Sequence, residues 1–197
     1  MNNSIKRSPN RWDDYSDRPY FSHDIETKYK DRLSEFLDMY GITHTQDFKA
    51  LEVGSGHGIY TNILHQVFGE LTAIEPNLIL FNILEERFST VQTTNTLNVN
   101  VELFNPTHKF DMIIFMHVFL FVDNKQHILN KMSKLLKSRK YIMIMEPAKF
   151  LNFGQNIKKI NDRMTDTVNC IEKSRKFELI YHGYIFSGSL CYLLRKL

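Results

Sequence analysis

From Ser22 onward the apolar positions fall into blocks whose spacing switches between helical and strand-like. Ile25, Tyr29, Leu33, Phe36, Leu37 and Tyr40 recur every three or four residues. This predicts an amphipathic helix over 22–41, with Ser22 as its cap and Gly41 as its stop. A short apolar run, Lys49 to Val53, reads as a strand, and Ile59, Ile63, Leu64 and Val67 then mark a helix ended by Gly69. Leu71 to Ile74 predicts a second strand ending at Glu75, and Pro76 suits the first turn of a helix carrying Leu80, Ile83, Leu84 and Phe88. The third strand is expected near Thr90 to Thr94.

Phe110 to Phe115 is the fourth strand, and Asp123 is the expected cap of a helix with Ile128, Leu129, Met132, Leu135 and Leu136 inward. Lys140 to Met145 is the fifth strand, and Ile157, Ile160, Met164, Val168 and Ile171 mark a further amphipathic helix. Phe177 to Phe186 and Ser189 to Leu194, on either side of Ser187-Gly188, read as a hairpin. Strands that alternate with helices and are apolar throughout their middles belong in a parallel sheet covered on both faces.

Composition narrows this to one soluble globular domain over residues 1–197: the chain is 43% hydrophobic and 24% charged, and shows no repeat or long linker. Residues 1–21 are polar and aperiodic and read as a flexible arm, 22–41 as the leading helix, and 48–197 as the core. The formal net charge is +3, with Lys and Arg scattered among Asp and Glu, so no nucleic-acid footprint stands out. Cys170 and Cys191 lack metal-ligand or disulfide spacing, which predicts buried thiols and no metal site. The most apolar run, Met112 to Val122, is too short to cross a bilayer and contains His117, and the N-terminus lacks a signal-like apolar core; a cytoplasmic location is the expectation.

The chemistry concentrates at Leu51-Glu52-Val53-Gly54-Ser55-Gly56-His57-Gly58, with Leu71-Thr72-Ala73-Ile74-Glu75-Pro76 following. A turn without Cβ atoms lets backbone approach a ligand, and an acid at the next strand's tip can accept from ribose hydroxyls. Dinucleotide sites need G-x-G-x-x-G, but Ile59 occupies the third slot here. The G-x-G-x-G turn preceded by an acid resembles the class I S-adenosylmethionine-dependent methyltransferases. Two further blocks carry the likeness: Lys109 to Asp123 matches the fourth strand and the loop across the cofactor, and Lys140 to Pro147 matches the fifth strand. The run from Phe110 to Val122, with Glu75-Pro76-Asn77, looks most like the small-molecule branch.

The resemblance implies a Rossmann-like doubly wound α/β fold: seven strands, mostly parallel, with a C-terminal antiparallel hairpin. It implies S-adenosylmethionine as cofactor and a small-molecule methyl acceptor at N or O. It assigns cofactor contacts to Glu52, Gly54, Ser55, Gly56, Gly58, Glu75, Pro76, Asn95, Met116 and His117, with Glu75 on the ribose and Asn95 on the adenine side. His117, just past the fourth strand, is the candidate general base, or else lines the adenine. Glu146 and the aromatics Trp12, Tyr15 and Tyr20 are candidate acceptor contacts, the aromatics by cation–π attraction or as a lid. His57 carries no assigned chemistry, and the basic residues from Lys158 to Lys176 read as a solvated helix face.

The Asp/Asn-Pro-Pro-Tyr tetrapeptide of amino-methylating nucleic-acid enzymes is replaced by Met116-His117-Val118-Phe119. Two other classes stay open at this stage: a protein or RNA methyltransferase that needs a partner, and a non-catalytic scaffold of the same fold. Little chain is left to enclose a substrate, so a homodimer or the N-terminal arm could complete the pocket.

Overall fold

A computed structural model describes residues 21–147, 157–186 and 188–197; side-chain surroundings are not described for 157–161. The predicted arm, with Trp12, Tyr15 and Tyr20, lies outside the described residues, as does Ser187. The chain runs α1 (His23–Met39), β1 (Lys49–Val53), α2 (Thr61–Val67), β2 (Glu70–Ile74), α3 (Leu78–Phe88), β3 (Thr94–Leu97), β4 (Phe110–Met116), α4 (Lys125–Leu135), β5 (Leu136–Pro147), α5 (Ile157–Glu172), β6 (Phe177–Phe186) and β7 (Ser189–Lys196). The strands form one seven-stranded sheet in the order β3-β2-β1-β4-β5-β7-β6. β1 to β5 pair in parallel, while β7 runs antiparallel between β5 and β6.

Strand alternation sorts the core onto two faces. Leu51, Val53, Ile113, Phe115, Ile142 and Ile144 pack with Ile128, Leu129 and Met132 of α4 and with Cys170 and Ile171 of α5. The intervening residues Ala50, Met112, Ile114, Met143 and Met145 pack with Leu33, Phe36 and Leu37 of α1 and with Leu64 and Val67 of α2. Both thiols are buried and free. Gly41, at φ 71°, ends α1 in a Schellman turn: its N–H donates to Asp38 O at 2.9 Å and Ile42 N–H donates to Leu37 O at 2.9 Å. Ser22 occupies the cap position of α1, but its side chain makes no capping bond.

Four local expectations are corrected. β3 lies at 94–97 rather than 90–94, because Val91 N–H bonds Phe88 O and Thr94 N–H bonds Val91 O, a pair of turns that uses up the residues after α3. Pro76 precedes α3 instead of opening it; Asn77 is the cap, its side chain accepting from Ile79 and Leu80 N–H at 2.9 and 3.0 Å. Asn124, not Asp123, caps α4, accepting from His127 N–H at 3.0 Å. β5 begins at Leu136, which pairs with Phe110 across a bulge, so the buried Leu136 belongs to the strand and not to the preceding helix. Among the described residues no helix is long and apolar enough to cross a membrane.

Candidate active site

The carboxyl ends of β1, β2 and β4 open onto one cleft of about 880 Å³. Doubly wound sheets place ligands at this edge, where the connections of neighbouring strands diverge. The floor is the turn after β1. Gly54 and Ser55 N–H both donate to Ile74 O, at 2.9 and 3.1 Å, which ties the turn to the end of β2. Gly54, Gly56 and Gly58 all have positive φ, at 71°, 59° and 94°.

The three glycines are required for different reasons. A Cβ at Gly54 would stand 2.5 Å from Val118 Cγ2, and one at Gly58 would stand 2.8 Å from Phe88 Cε2. Those two glycines allow close packing of chain on chain. A Cβ at Gly56 would meet no protein atom within 4 Å, and Gly56 lines the cleft. Its open side therefore leaves room for a ligand that approaches the backbone.

Glu75 follows β2 at the cleft wall and is only 6% exposed. One carboxyl oxygen accepts from Gly56 N–H at 2.8 Å and the other from Asn77 N–H at 2.9 Å. Burial pushes the carboxyl above its ordinary range, against the opposing pull of the Asn77 and Gly56 N–H groups. A carboxylate offers about four acceptor positions, so both oxygens keep capacity for vicinal hydroxyls. Asn98 Nδ2 donates to Glu75 O and Pro76 O, at 2.8 and 3.2 Å, and steadies this corner.

Glu52 lies beneath the turn, away from the cleft lining. It accepts from Thr61 Oγ1 at 2.6 Å, which links β1 to the first turn of α2. Burial pushes its carboxyl up to about 8, opposed by the Thr61 and Ser55 hydroxyls and reinforced by Glu75. Its place in the fold is thus to hold the turn from below.

Of the residues assigned from sequence, Gly54, Ser55, Gly56, Glu75, Pro76, Met116 and His117 converge on the cleft. Glu52, Gly58, Asn95 and Glu146 do not line it. Asn95 is exposed within β3 and pairs with Thr72, a consequence of the later start of that strand; Asn100 instead reaches the wall. Glu146 is 1% exposed on the α4/α5 side of β5. Trp12, Tyr15 and Tyr20 fall outside the described residues.

Phe21 and Tyr60 line the wall without a readable signal in the sequence, whereas Val118 and Phe121 belong to the Lys109 to Asp123 block read as the loop across the cofactor. Phe21 stacks on Tyr29 at 5.0 Å and meets Tyr60 edge-on at 5.7 Å, so aromatic rings close the side nearest α1. Among the described residues no group of three His, Cys, Asp or Glu could hold a metal ion.

Residues 21–186 match the sequence profile of the family described as a methyltransferase domain. The chain belongs to that family. No curated protein matches this methyltransferase sequence. Its fold resembles the N-methyltransferase NodS from Bradyrhizobium japonicum WM9, solved with S-adenosyl-L-homocysteine, at TM-score 0.65 and 15% identity, covering 96% of this chain and 93% of that one. It also resembles a SAM-dependent methyltransferase from Aquifex aeolicus, at TM-score 0.66 and 14% identity over 90% and 100% of the two chains. Magnesium protoporphyrin IX methyltransferase (ChlM) from Synechocystis PCC 6803, solved with bound SAM, gives TM-score 0.60 and 11% identity over 95% and 90%. At these identities the likeness is one of fold.

Proposed function

We propose that this methyltransferase moves a methyl group from S-adenosylmethionine to a nitrogen or oxygen of a small-molecule acceptor. The observation that carries the reading is Glu75, fixed by the Gly56 and Asn77 N–H groups beside a turn whose Gly56 faces open space. Glu75 would hold the ribose hydroxyls, the Gly54 to Gly56 backbone would line the methionine portion, and Asn100, on the cleft wall, would meet the adenine side. Once bound, the sulfonium supplies an electrophilic methyl transferred by in-line displacement. What the protein adds is position: an acceptor atom held in line near contact distance.

The cleft volume, about 880 Å³, lies within the range of small-molecule sites and leaves space beside a nucleoside for a modest acceptor. Phe21, Tyr60, Phe121 and Val122 give that space an apolar, largely aromatic wall. His117 stands at the same end and is the candidate proton acceptor.

Calorimetric titration with S-adenosylhomocysteine tests the cofactor assignment. Saturable heat is expected from the wild type. Glu75→Ala removes two carboxylate contacts to hydroxyls and should weaken binding by roughly 10- to 100-fold. No heat and no thermal shift in the wild type would sink the assignment. Labelled S-adenosylmethionine with a fractionated cell extract then tests the acceptor: label is expected in the small-molecule fraction, and label in protein or RNA overturns the small-molecule reading.

A further inference from the structure

We infer that the Tyr60 hydroxyl takes the acceptor's proton and passes its own to His117, with Ser189 fixing the imidazole; this rests on the methyl-transfer reading above. Three elements distant in sequence meet at this point. Tyr60 directly precedes α2, His117 directly follows β4, and Ser189 opens β7. Tyr60 Oη lies 3.2 Å from His117 Nδ1, and His117 Nε2 lies 3.0 Å from Ser189 Oγ. Tyr60 and His117 both line the cleft, while Ser189 is 5% exposed behind them.

The order of exposure sets the order of roles. A buried hydroxyl on one ring nitrogen and a cleft-facing hydroxyl on the other leave a neutral imidazole two tautomers. With the proton on Nε2, that nitrogen donates to Ser189 Oγ, and Nδ1 accepts from the Tyr60 O–H. This arrangement makes Nδ1 basic toward the cleft. The ring is also held from its backbone: His117 sits at φ 59° and its N–H donates to Met145 O at 2.7 Å. A side chain kept in left-handed backbone is a feature found where position matters to function.

The step balances. The bond from the acceptor atom to the methyl carbon forms as the carbon–sulfur bond breaks, and that electron pair stays on sulfur. The acceptor's proton goes to the Tyr60 oxygen as the Tyr60 proton goes to Nδ1, leaving a neutral phenol and an imidazolium. Nε2–H keeps its bond to Ser189 throughout. Tyr60 is the group that touches the acceptor, and Ser189 is a positioning residue.

The competing outcome is a fastener: the same bonds would join α2, β4 and β7 without handling a proton. Nitrogen-15 spectra of the histidine-labelled full chain, saturated with S-adenosylhomocysteine, separate the two. An unprotonated Nδ1 and a protonated Nε2 are expected for His117, and Ser189→Ala should mix the tautomers while Ser189→Thr restores them. Tyr60→Phe should cut transfer of labelled methyl into the small-molecule fraction of a cell extract by roughly 100-fold. It should leave S-adenosylhomocysteine affinity within about twofold, because the ring is kept. A proton found on Nδ1, or a Tyr60→Phe variant that keeps more than about a third of wild-type transfer, overturns the inference while the cofactor assignment stands. Failure of the wild type to bind S-adenosylhomocysteine overturns both.

Discussion

Glu146 is a buried acid only weakly compensated, and replacing it with Gln should stabilise the protein. The residue is 1% exposed near the end of β5, and neither carboxyl oxygen has a hydrogen-bond partner among the described residues. Burial pushes its carboxyl from the ordinary 4.5 up to about 8, opposed by the nearby Leu120 N–H and the Lys125 ammonium. Lys125 cannot offset this fully, since its ammonium donates to Val122 O at 2.9 Å and to Leu120 O at 3.3 Å. At pH 7 the unfolded chain has released the Glu146 proton and the folded chain retains it. The gap of roughly 2.5 pH units costs folding about 3 kcal/mol. The sign follows from an acid whose folded value is raised: the cost is absent below the unfolded value, grows as pH rises, and levels off above about 8. Glu146→Gln removes the ionisation at similar volume. Its advantage should be near zero at pH 4.5, about 3 kcal/mol at pH 7 and larger at pH 9. For a chain of this size, about 3 kcal/mol is roughly 6–12 °C in Tm at pH 7. Denaturant melts of both proteins at those three pH values are the assay. An advantage that does not change with pH, or a variant less stable than wild type at pH 7, refutes the reasoning.

Gly58→Ala and Gly56→Ala should separate stability from binding. The first drives a Cβ against Phe88 and Leu84 in a left-handed backbone and should cost about 2–3 kcal/mol in a denaturant melt, whereas the second costs about 1 kcal/mol and mainly lowers S-adenosylhomocysteine affinity. Asp111, buried between Lys137 at 2.7 Å and Lys140 at 3.1 Å, is raised by burial but held below the usual carboxylate range by those lysines and Lys49 N–H. Both lysines are substantially exposed, so Asp111→Asn should cost about 1–2 kcal/mol at pH 7. A depressed folded value means this loss shrinks as pH falls below the ordinary 3.8, which acid melts can follow. Thr61→Val removes the 2.6 Å donor to Glu52 and should destabilise by about 1–2 kcal/mol, more above pH 8, where Glu52 ionises.

Elements that are buried on both faces were legible because burial constrains every position. β4 reads Phe-Asp-Met-Ile-Ile-Phe-Met and is buried along its whole length, and β1 falls within the predicted bounds. The terminal hairpin was legible for another reason, since a turn between two alternating runs has few other solutions. β3 offered neither signal: Thr94-Asn95-Thr96-Leu97 is a half-exposed edge strand, so its position depends on where α3 ends and not on its own pattern. Asn95 therefore stands inside the strand and not after it, a placement that follows from that slip. The errors at the helix starts are of a different kind: Asp123-Asn124 places two competent caps side by side, and only the closed turn decides which one the helix N–H groups meet, while Pro76, expected in the first turn of α3, stands just before its cap Asn77.

The glycine turn and Glu75, proposed as the cofactor side, lie close together in sequence, joined by one helix and one strand. The proposed acceptor side is assembled across the sheet. Ser189 reaches His117 because β7 pairs antiparallel with β5, placing Ser189 opposite Pro147, while β5 pairs in parallel with β4 and sets Met145 opposite Met116. Those two registers bring the first residue of the last strand to the residue just past the fourth. The hairpin was predicted, so carrying its register through to β4 would have pointed to Ser189. Tyr60 lacked even that route, since its hydroxyl reaches His117 only through the geometry of the turn that leads into α2. A substitution in the hairpin that shifts β7 by a single residue would reverse the side on which Ser189 stands and release the imidazole, with Glu75 and the glycine turn left intact. Under the proposed roles, acceptor chemistry can therefore change without disturbing the residues proposed to hold the methyl donor.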